Sequence, residues 1–583
     1  MAKLQSRWMT SLRKWLLLFV LVTMIGWMPI LGNFLGNRFE VSLQAMVLPL
    51  VGVMVIAAVV ASVFYRYYRR NQLGGFLATI LAAILLTNNY DARLSAIYPI
   101  ITAFLPLPQL GGIEASIFSL IFIVVIFVLV WGASRLISAW VKQRGWAAKD
   151  LVGGASLAVA ITFLLLFVPS LKTVIGAWSQ YFYKPPTLAT NGANTAAGKP
   201  DIYYIVMEDY ASQSQLKDQF NFNDTDFTNY LTGNGYYTNP DAHQNYPYTT
   251  MSIASTLNAG YDADIINKYK DATSQTIVPY HRAIQYSSVV STLKNLGYSY
   301  DEIGTWYETT NRGPLADNFY LNDRRLTLFG HLTYIDGFTQ SQMSESLFWR
   351  FLENGVSLGR FTLGHYQGEG QVQLTGDALG TLKNLVDQPA GGRFIFAHLI
   401  IPHEPYYFNA DGSINSDSGS DDNGETIKQK YVNQVQYIND QMKQILSSIK
   451  TNSGGKAIVV LQSDEGPHPQ ELDEHIYDED SANDEINNQN MALLSNSDLA
   501  LKYGDQAAYY LPGISATEAT GANNLDIFRL VLDHYFGANM SILPECYYAY
   551  PNGRNQPFVY EDITDRLTGL KNPVCAADGT GSK

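Results

Sequence analysis

The sequence predicts an N-terminal all-α transmembrane bundle of about five spans, then an α/β domain with a mostly parallel central sheet flanked by helices. Three observations carry this. Long apolar runs crowd the first 183 residues, apolar strand-like runs recur after residue 200, and the charge changes sign between the two parts. Residues 1–183 hold 14 Lys and Arg against 4 Asp and Glu, whereas residues 184–583 hold 25 against 48. The 583 residues exceed one ordinary domain. Composition divides them into a helical domain, 1–183, a linker, 184–200, and a second domain, 201–583.

Four runs, Trp15–Phe34, Leu43–Phe64, Ile117–Trp131 with its flanks and Leu151–Val168, approach the ~20 residues that cross a bilayer. Gly74–Leu86 and Ser95–Leu107 are shorter. Basic residues decide how to count them. Lys3, Arg7, Arg13 and Lys14 precede the first run; Arg66, Arg69 and Arg70 follow the second; Arg135, Lys142, Arg144 and Lys149 separate the last two. Cytoplasmic loops collect such residues, so all three clusters are expected inside. An odd number of crossings must then lie between Arg70 and Ile117. Gly74–Leu86 is expected to cross and Ser95–Leu107 to stay at the outer surface. The N-terminus is cytoplasmic, and the second domain stands outside the cell membrane.

The linker is rich in Pro, Gly, Ala, Asn and Thr, without apolar period. Cys546 and Cys575 are the only cysteines. In an oxidising compartment such a pair is expected to form a disulfide. The acidic second domain repels polyanions, which argues against nucleic acid as a partner, and no protein partner is expected.

Asp201 opens the second domain and leads into a buried-strand pattern that ends in Glu208 and Asp209. Ligands of open α/β sheets bind at the carboxyl ends of strands, and adjacent carboxylates there call for a cation. The alternative is a solvated strand end. Asn245–Asn258 reads as a helix entry, with Thr249 and Thr250 at its start; such a hydroxyl serves either as an N-cap or as a nucleophile. Arg393–Ile401 is a second buried strand leading to Pro402-His403-Glu404-Pro405, whose prolines lock the turn around His403. Ala457–Leu461 is a third, leading to Asp464-Glu465-Gly466-Pro467-His468. Strands ending in acids or His, with a Thr at a helix start, look like one convergent site.

The order strand–acid, N-Y-x-x-T-x-x-S, P-H-x-P-Y and strand–S-D-x-G-P resembles the alkaline phosphatase and sulfatase superfamily. Within it, the chain is similar to membrane proteins related to lipoteichoic acid synthase and the phosphoethanolamine transferases. The resemblance extends to the tail, Ala507–Pro512 and Asn523–Gly537. It implies metal ligation by Glu208, Thr249 and Asp464, with Thr249 as nucleophile (Thr250 being the adjacent candidate) and His403 as a catalytic, substrate-binding His. The family usually places His after the late Asp. Here Glu465 stands there as a further candidate ligand, with His468 a possible replacement imidazole or a plain turn residue.

Such an oxygen-rich site implies a divalent ion, Mg²⁺ or Mn²⁺ ahead of Ca²⁺, with Zn²⁺ last. Trp306 and Arg312, in Gly304–Asp317, are candidate substrate contacts. The implied function is metal-dependent transfer or hydrolysis of a phosphoryl-linked group from a membrane lipid or envelope glycan, through a phosphothreonine at Thr249. Sulfuric ester hydrolysis is an alternative, disfavoured because the Thr249–Ile253 stretch has no oxidisable Cys and no Pro or Arg at the required places. A catalytically degenerate member acting as a sensor or structural protein is the other.

Overall fold

The apolar runs form helices, in which a chain meets its own backbone hydrogen-bonding needs without outside partners. The computed structural model describes residues 2–87, 113–189, 199–311, 313–320, 324–328, 331–344, 356–358, 361–367, 370–389, 391–415, 426–468, 494–519, 522–551, 556–570 and 572–581. Helices α1 (Ala2–Gly36), α2 (Leu43–Arg70), α3 (Gln72–Thr87), α4 (Ile113–Gln143) and α5 (Ala148–Gly176) follow one another. Among the described residues, three helices are long and apolar enough to cross a membrane: Met9–Gly36, Leu43–Arg70 and Ala148–Gly176. Gly74–Leu86 lies in α3, which has 16 residues. Ser95–Leu107, expected at the outer surface, lies outside the described residues, as do 190–198 of the linker.

The faces of α2 show what surrounds it. Val47, Val51, Val55, Val59 and Val63 recur every fourth residue, hence along one stripe, and all are exposed. Ala57, Val60 and Phe64 instead pack with Val22 and Ile25 of α1 and Ala78, Ala82 and Ala83 of α3. An apolar stripe of that length suits lipid better than water.

The chain divides into two compact units. The first is Met1–Gly176 with Arg324–Gly368, and the second is Ala177–Asp323 with Glu369–Lys583. The segment 324–368, which the sequence places within the second domain, thus groups with the helices. It forms a four-stranded antiparallel sheet and a short helix, Gly337–Ser344. That helix packs beside α2: Thr339 Oγ1 donates to Ala45 O at 2.9 Å, and Phe338 joins the cluster of Leu31, Phe34 and Met46.

In the second unit β1 (Ile202–Met207), β2 (Tyr237–Thr238), β3 (Ser299–Ile303), β4 (Asn318–Tyr320), β5 (Arg393–Leu399), β6 (Ile458–Ser463) and β7 (Ala507–Tyr510) form one sheet, ordered β2-β7-β6-β1-β5-β3-β4. Pairing is parallel from β6 through β4, and antiparallel where β7 meets β6 and β2. The sheet is therefore mixed. Apolar pattern predicts burial but not strand direction, so the expected mostly parallel sheet could not foresee the antiparallel edge.

Alternate strand residues serve opposite faces. Tyr204, Val206, Phe394, Phe396 and Val460 pack under α6 (Thr249–Leu257) and a second helix, Ile527–Phe536. Tyr203, Ile205, Met207, Ile395 and Val459 pack under α7 (Gln371–Val386) and α8 (Ile427–Asn452). Cys546 and Cys575 are disulfide-bonded, with Cα atoms 5.7 Å apart. This bridge steadies the entry to α6, because Asn245 Nδ2 donates to Cys546 O at 2.8 Å.

Candidate active site

Three adjacent strands, β5, β1 and β6, end together, and their ends are cross-bonded. Glu208 N donates to Leu399 O at 3.0 Å. Tyr210 N donates to Ser463 Oγ at 2.9 Å, and that hydroxyl donates to Met207 O at 2.6 Å. Asp209 between them has φ +58°, a left-handed conformation that Asp tolerates better than most residues. Tyr431 of α8 holds this turn, donating to Asp209 O at 2.8 Å and accepting from Ala211 N at 2.9 Å.

The site begins on the α6 face. Phe394, Phe396 and His398 share one side of β5, and His398 is in register with Val206, two residues before Glu208. Glu208, His398 and Asp464 are all buried and offer ligand atoms within 4.8 Å of one another. His398 Nε2 and Glu208 Oε2 are in ion-pair contact. These two atoms meet each other, while Asp464 Oδ2 has no hydrogen-bond partner among the described residues. Buried polar atoms without such partners are rare and costly. Two carboxylates and an imidazole gathered at one point fit a metal ion.

The electrostatics agree. Burial would raise the Glu208 carboxyl, but the His398 imidazole outweighs it and holds Glu208 below the usual range. Burial also opposes ionisation of Glu465, and Lys502, then His468, overcome it. Asp464 has no such cation: burial, then the charges of Glu208 and Glu465, push it well above the usual range. One more positive charge would let all three carboxylates ionise.

Thr249 is the first residue of α6, whose N-cap is Tyr248. Its Oγ1 lies 3.1 Å from Glu208 Oε1 and 3.0 Å from Glu465 Oε1, and its single proton serves one of them at a time. Thr250 is occupied elsewhere: its Oγ1 meets Tyr307 Oη at 2.9 Å and Thr309 Oγ1 at 3.1 Å. His403 sits beside Asp209, with Nε2 3.7 Å from Asp209 Oδ2, and Gln434 Nε2 donates to its carbonyl at 2.9 Å.

Glu208, Thr249, Asp464 and Glu465 are thus brought together as the sequence suggests, with His403 at their edge. Both Glu465 oxygens have partners: Oε1 faces Thr249, and Oε2 pairs with Lys502. It groups with Asp209 and His468 rather than with Glu208 and Asp464. Trp306 lines a cavity with Thr305, Gln371, Leu374 and His398, while Arg312 lies outside the described residues.

Sequence reasoning missed His398 and Lys502. His398 alters the expected chemistry, because an imidazole makes the donor set one nitrogen and two carboxylates instead of all oxygen. The signal was parity: a His in step with two core Phe residues, within a strand buried on both faces, needs a polar partner. That partner on the far side is Thr310, whose Oγ1 lies 3.0 Å from His398 Nδ1 and 2.8 Å from Thr305 Oγ1. Outer contacts of this kind fix the ring and its tautomer. Thr310→Val should therefore weaken metal binding roughly 10–100-fold, while Thr310→Ser preserves it. Calorimetric titration of the full-length chain with Mn²⁺ or Zn²⁺ would show this, and unchanged affinity in Thr310→Val would dismiss the orienting role.

Residues 200–535 match the sulfatase family model. No curated protein matches the chain. Three of the similar solved structures are the Zn complex of the C-terminal periplasmic domain of EptC from Escherichia coli, the soluble domain of lipooligosaccharide phosphoethanolamine transferase A from Neisseria meningitidis, and the lipoteichoic acid synthase LtaP from Listeria monocytogenes. The EptC domain is 13% identical, with 60% of this chain and 86% of that chain covered and a TM-score of 0.36. For the Neisseria domain the values are 11%, 60%, 92% and 0.36. For LtaP they are 13%, 56%, 70% and 0.30. At these scores the likenesses carry no argument about the site.

Proposed function

The chain belongs to the sulfatase family, and from that premise we propose that it is a membrane-anchored, metal-dependent enzyme that transfers or hydrolyses a phosphoryl-linked group of a lipid or envelope glycan through Thr249. The observation that supports this best is the gathering of Glu208, His398 and Asp464, with ligand atoms within 4.8 Å of one another, beside a Thr249 hydroxyl that lies 3.1 Å from Glu208 Oε1.

In this reading Glu208, His398 and Asp464 hold the ion. When bound, it supplies positive charge that lowers the pKa of a coordinated hydroxyl and offsets charge on the transferred group. With an imidazole among the donors, Mn²⁺ or Zn²⁺ suits the set better than Mg²⁺ or Ca²⁺. Thr249 Oγ1 forms a bond to phosphorus as the bond to the lipid oxygen breaks; the hydroxyl proton passes to the contacting carboxylate, Glu465 Oε1, and the departing oxygen takes a proton from water and leaves as the lipid alcohol. The phosphothreonine then rests at the N-terminus of α6, where free N–H groups favour an anion. An acceptor hydroxyl or water next takes the group and frees Thr249. His403, at the edge beside Asp209, contacts the substrate.

The basic clusters support five spans with the N-terminus inside and the second unit outside, where lipid headgroups and envelope polymers lie within reach. The test is a comparison of leaving groups. The full-length chain, given phospholipid vesicles and Mn²⁺ or Zn²⁺, should release diacylglycerol, and it should leave an aryl sulfate intact. Sulfate release without diacylglycerol would replace this reading with a sulfuric ester hydrolase.

A further inference from the structure

The turn after β1 carries Glu208 and Asp209, and Tyr210 anchors it from a distance. The Tyr210 side chain is fully buried, and its hydroxyl meets two other buried side chains. Tyr210 Oη lies 2.9 Å from Asp224 Oδ2 and 2.6 Å from Asn439 Oδ1, while Asn439 Nδ2 lies 3.0 Å from Asp224 Oδ1. Asp224 is the N-cap of the helix Thr225–Gly233, yet its carboxyl makes no capping bond there. Asn439 stands on α8. Three segments far apart in sequence thus close one ring of three polar contacts.

Three contacts need three hydrogens. Tyr210 supplies one, and burial, then the charge of Asp224, keeps that phenol protonated far above its usual range. The Asn439 amide supplies a second. An ionised Asp224 supplies none, so one contact would set two acceptor oxygens against each other. Turning the Asn439 amide over changes only which contact fails: its nitrogen then serves Tyr210, and its oxygen faces Asp224 Oδ1. In both orientations a proton on Asp224 closes the ring. The charged groups around it nearly balance. Lys443 of α8 favours the ionised carboxyl and Asp226 opposes it, and the two pair with each other, with Asp440 Oδ1 3.2 Å from the same ammonium. Tyr431 of α8 is kept neutral by burial. Burial of Asp224 itself outweighs these and pushes its carboxyl up to about 6.

We infer that Asp224 works as a protonated carboxylic acid and positions the turn that bears Glu208 and Asp209. The route to the site is short. Tyr210 N donates to Ser463 Oγ, and that oxygen lies 2.7 Å from Glu465 O, so both acidic turns share one anchor. Asp209 holds its left-handed φ of +58° only because the turn is tied on both sides. The proton on Asp224 is independent of the reaction; its consequence for turnover rests on the reading that this site is catalytic. The sign follows from linkage. An unfolded chain releases this proton near ~3.9, and the folded chain holds it up to about 6. The stability it confers is therefore full below ~3.9 and lost as pH rises through the folded value.

Asp224→Asn is the test, because an amide keeps the donor and acceptor of the protonated acid and cannot ionise. Infrared spectra of the full-length chain in detergent are recorded from acid to alkaline pH. A carboxylic-acid carbonyl band should vanish from the wild type as pH passes about 6 and be missing from Asp224→Asn throughout. The two chains should melt together in acid, and the variant should melt higher once pH exceeds that value. Turnover of the wild type relative to Asp224→Asn should be near parity in acid and fall across the same range. Identical infrared spectra, or a variant that melts lower at every pH, would overturn the protonated acid. A flat turnover ratio would overturn the positioning role. A variant that failed to fold would also sink the inference, since the amide should rebuild the ring. Absence of turnover in both chains would defeat the catalytic reading instead, and the infrared and melting results would still decide the proton.

Discussion

Thr249→Ala should lower turnover by roughly 10³-fold or more while leaving metal content unchanged. The loss is large because no other hydroxyl can take its place cheaply. Thr250 is next in sequence, yet its hydroxyl is engaged by Tyr307 and Thr309. The metal should remain because Glu208, His398 and Asp464, the groups that would hold it, are all left in place. Thr249→Ser keeps an attacking hydroxyl and should retain turnover, which separates loss of the nucleophile from damage to the helix entry. Release of lipid alcohol under single-turnover conditions is the measurement. Full activity in Thr249→Ala would pass the role to Thr250 or dismiss covalent catalysis.

Asp464→Asn should have the opposite signature, losing the metal first and turnover in consequence. Asparagine keeps the size of the side chain and removes the charge, and Asp464 is the carboxylate that burial, Glu208 and Glu465 press hardest. Loss of an outer partner of a ligand costs roughly 10–100-fold in metal affinity, so loss of the ligand's charge should cost more. Stability follows by linkage. An ion at 100 times its Kd stabilises the wild type by about 2.7 kcal/mol, and the variant should gain almost nothing at the same concentration. Melting curves with Mn²⁺ or with EDTA would show the wild type shifting and Asp464→Asn unmoved. A variant that shifted equally would remove Asp464 from the ligand set.

Much of the site is legible in the sequence because its parts stand where strands stop. Glu208 follows β1, and Asp464 and Glu465 follow β6, so buried runs ending in acids point to the sheet's carboxyl edge. His398 was harder to see, since it lies inside β5 and a buried His is usually a satisfied core residue. Its meaning depends on register with β1, a tertiary fact. Lys502 is harder still. On the helix Asn496–Tyr503 it reads as an ordinary basic residue in a last turn, and only the close approach of Gly466 to that helix delivers it to Glu465. The grouping of 324–368 with the helices left no trace in composition, because its contact with α2 rests on a few residues such as Phe338 and Thr339. Strand direction at β7 was illegible for a similar reason: four small and aromatic residues, Ala507–Tyr510, suit either sense of pairing.

The central claim is that Thr249 carries the group in transit. Its most direct test is mass spectrometry of the full-length chain, quenched in acid during turnover on phospholipid vesicles and digested to give the peptide containing Thr249 and Thr250. The predicted result is a phosphoryl-linked adduct located by fragmentation on Thr249, absent from Thr249→Ala and persisting longer when acceptor is withheld. Turnover with an unmodified Thr249 peptide at every time sampled, or an adduct on Thr250 instead, would contradict it.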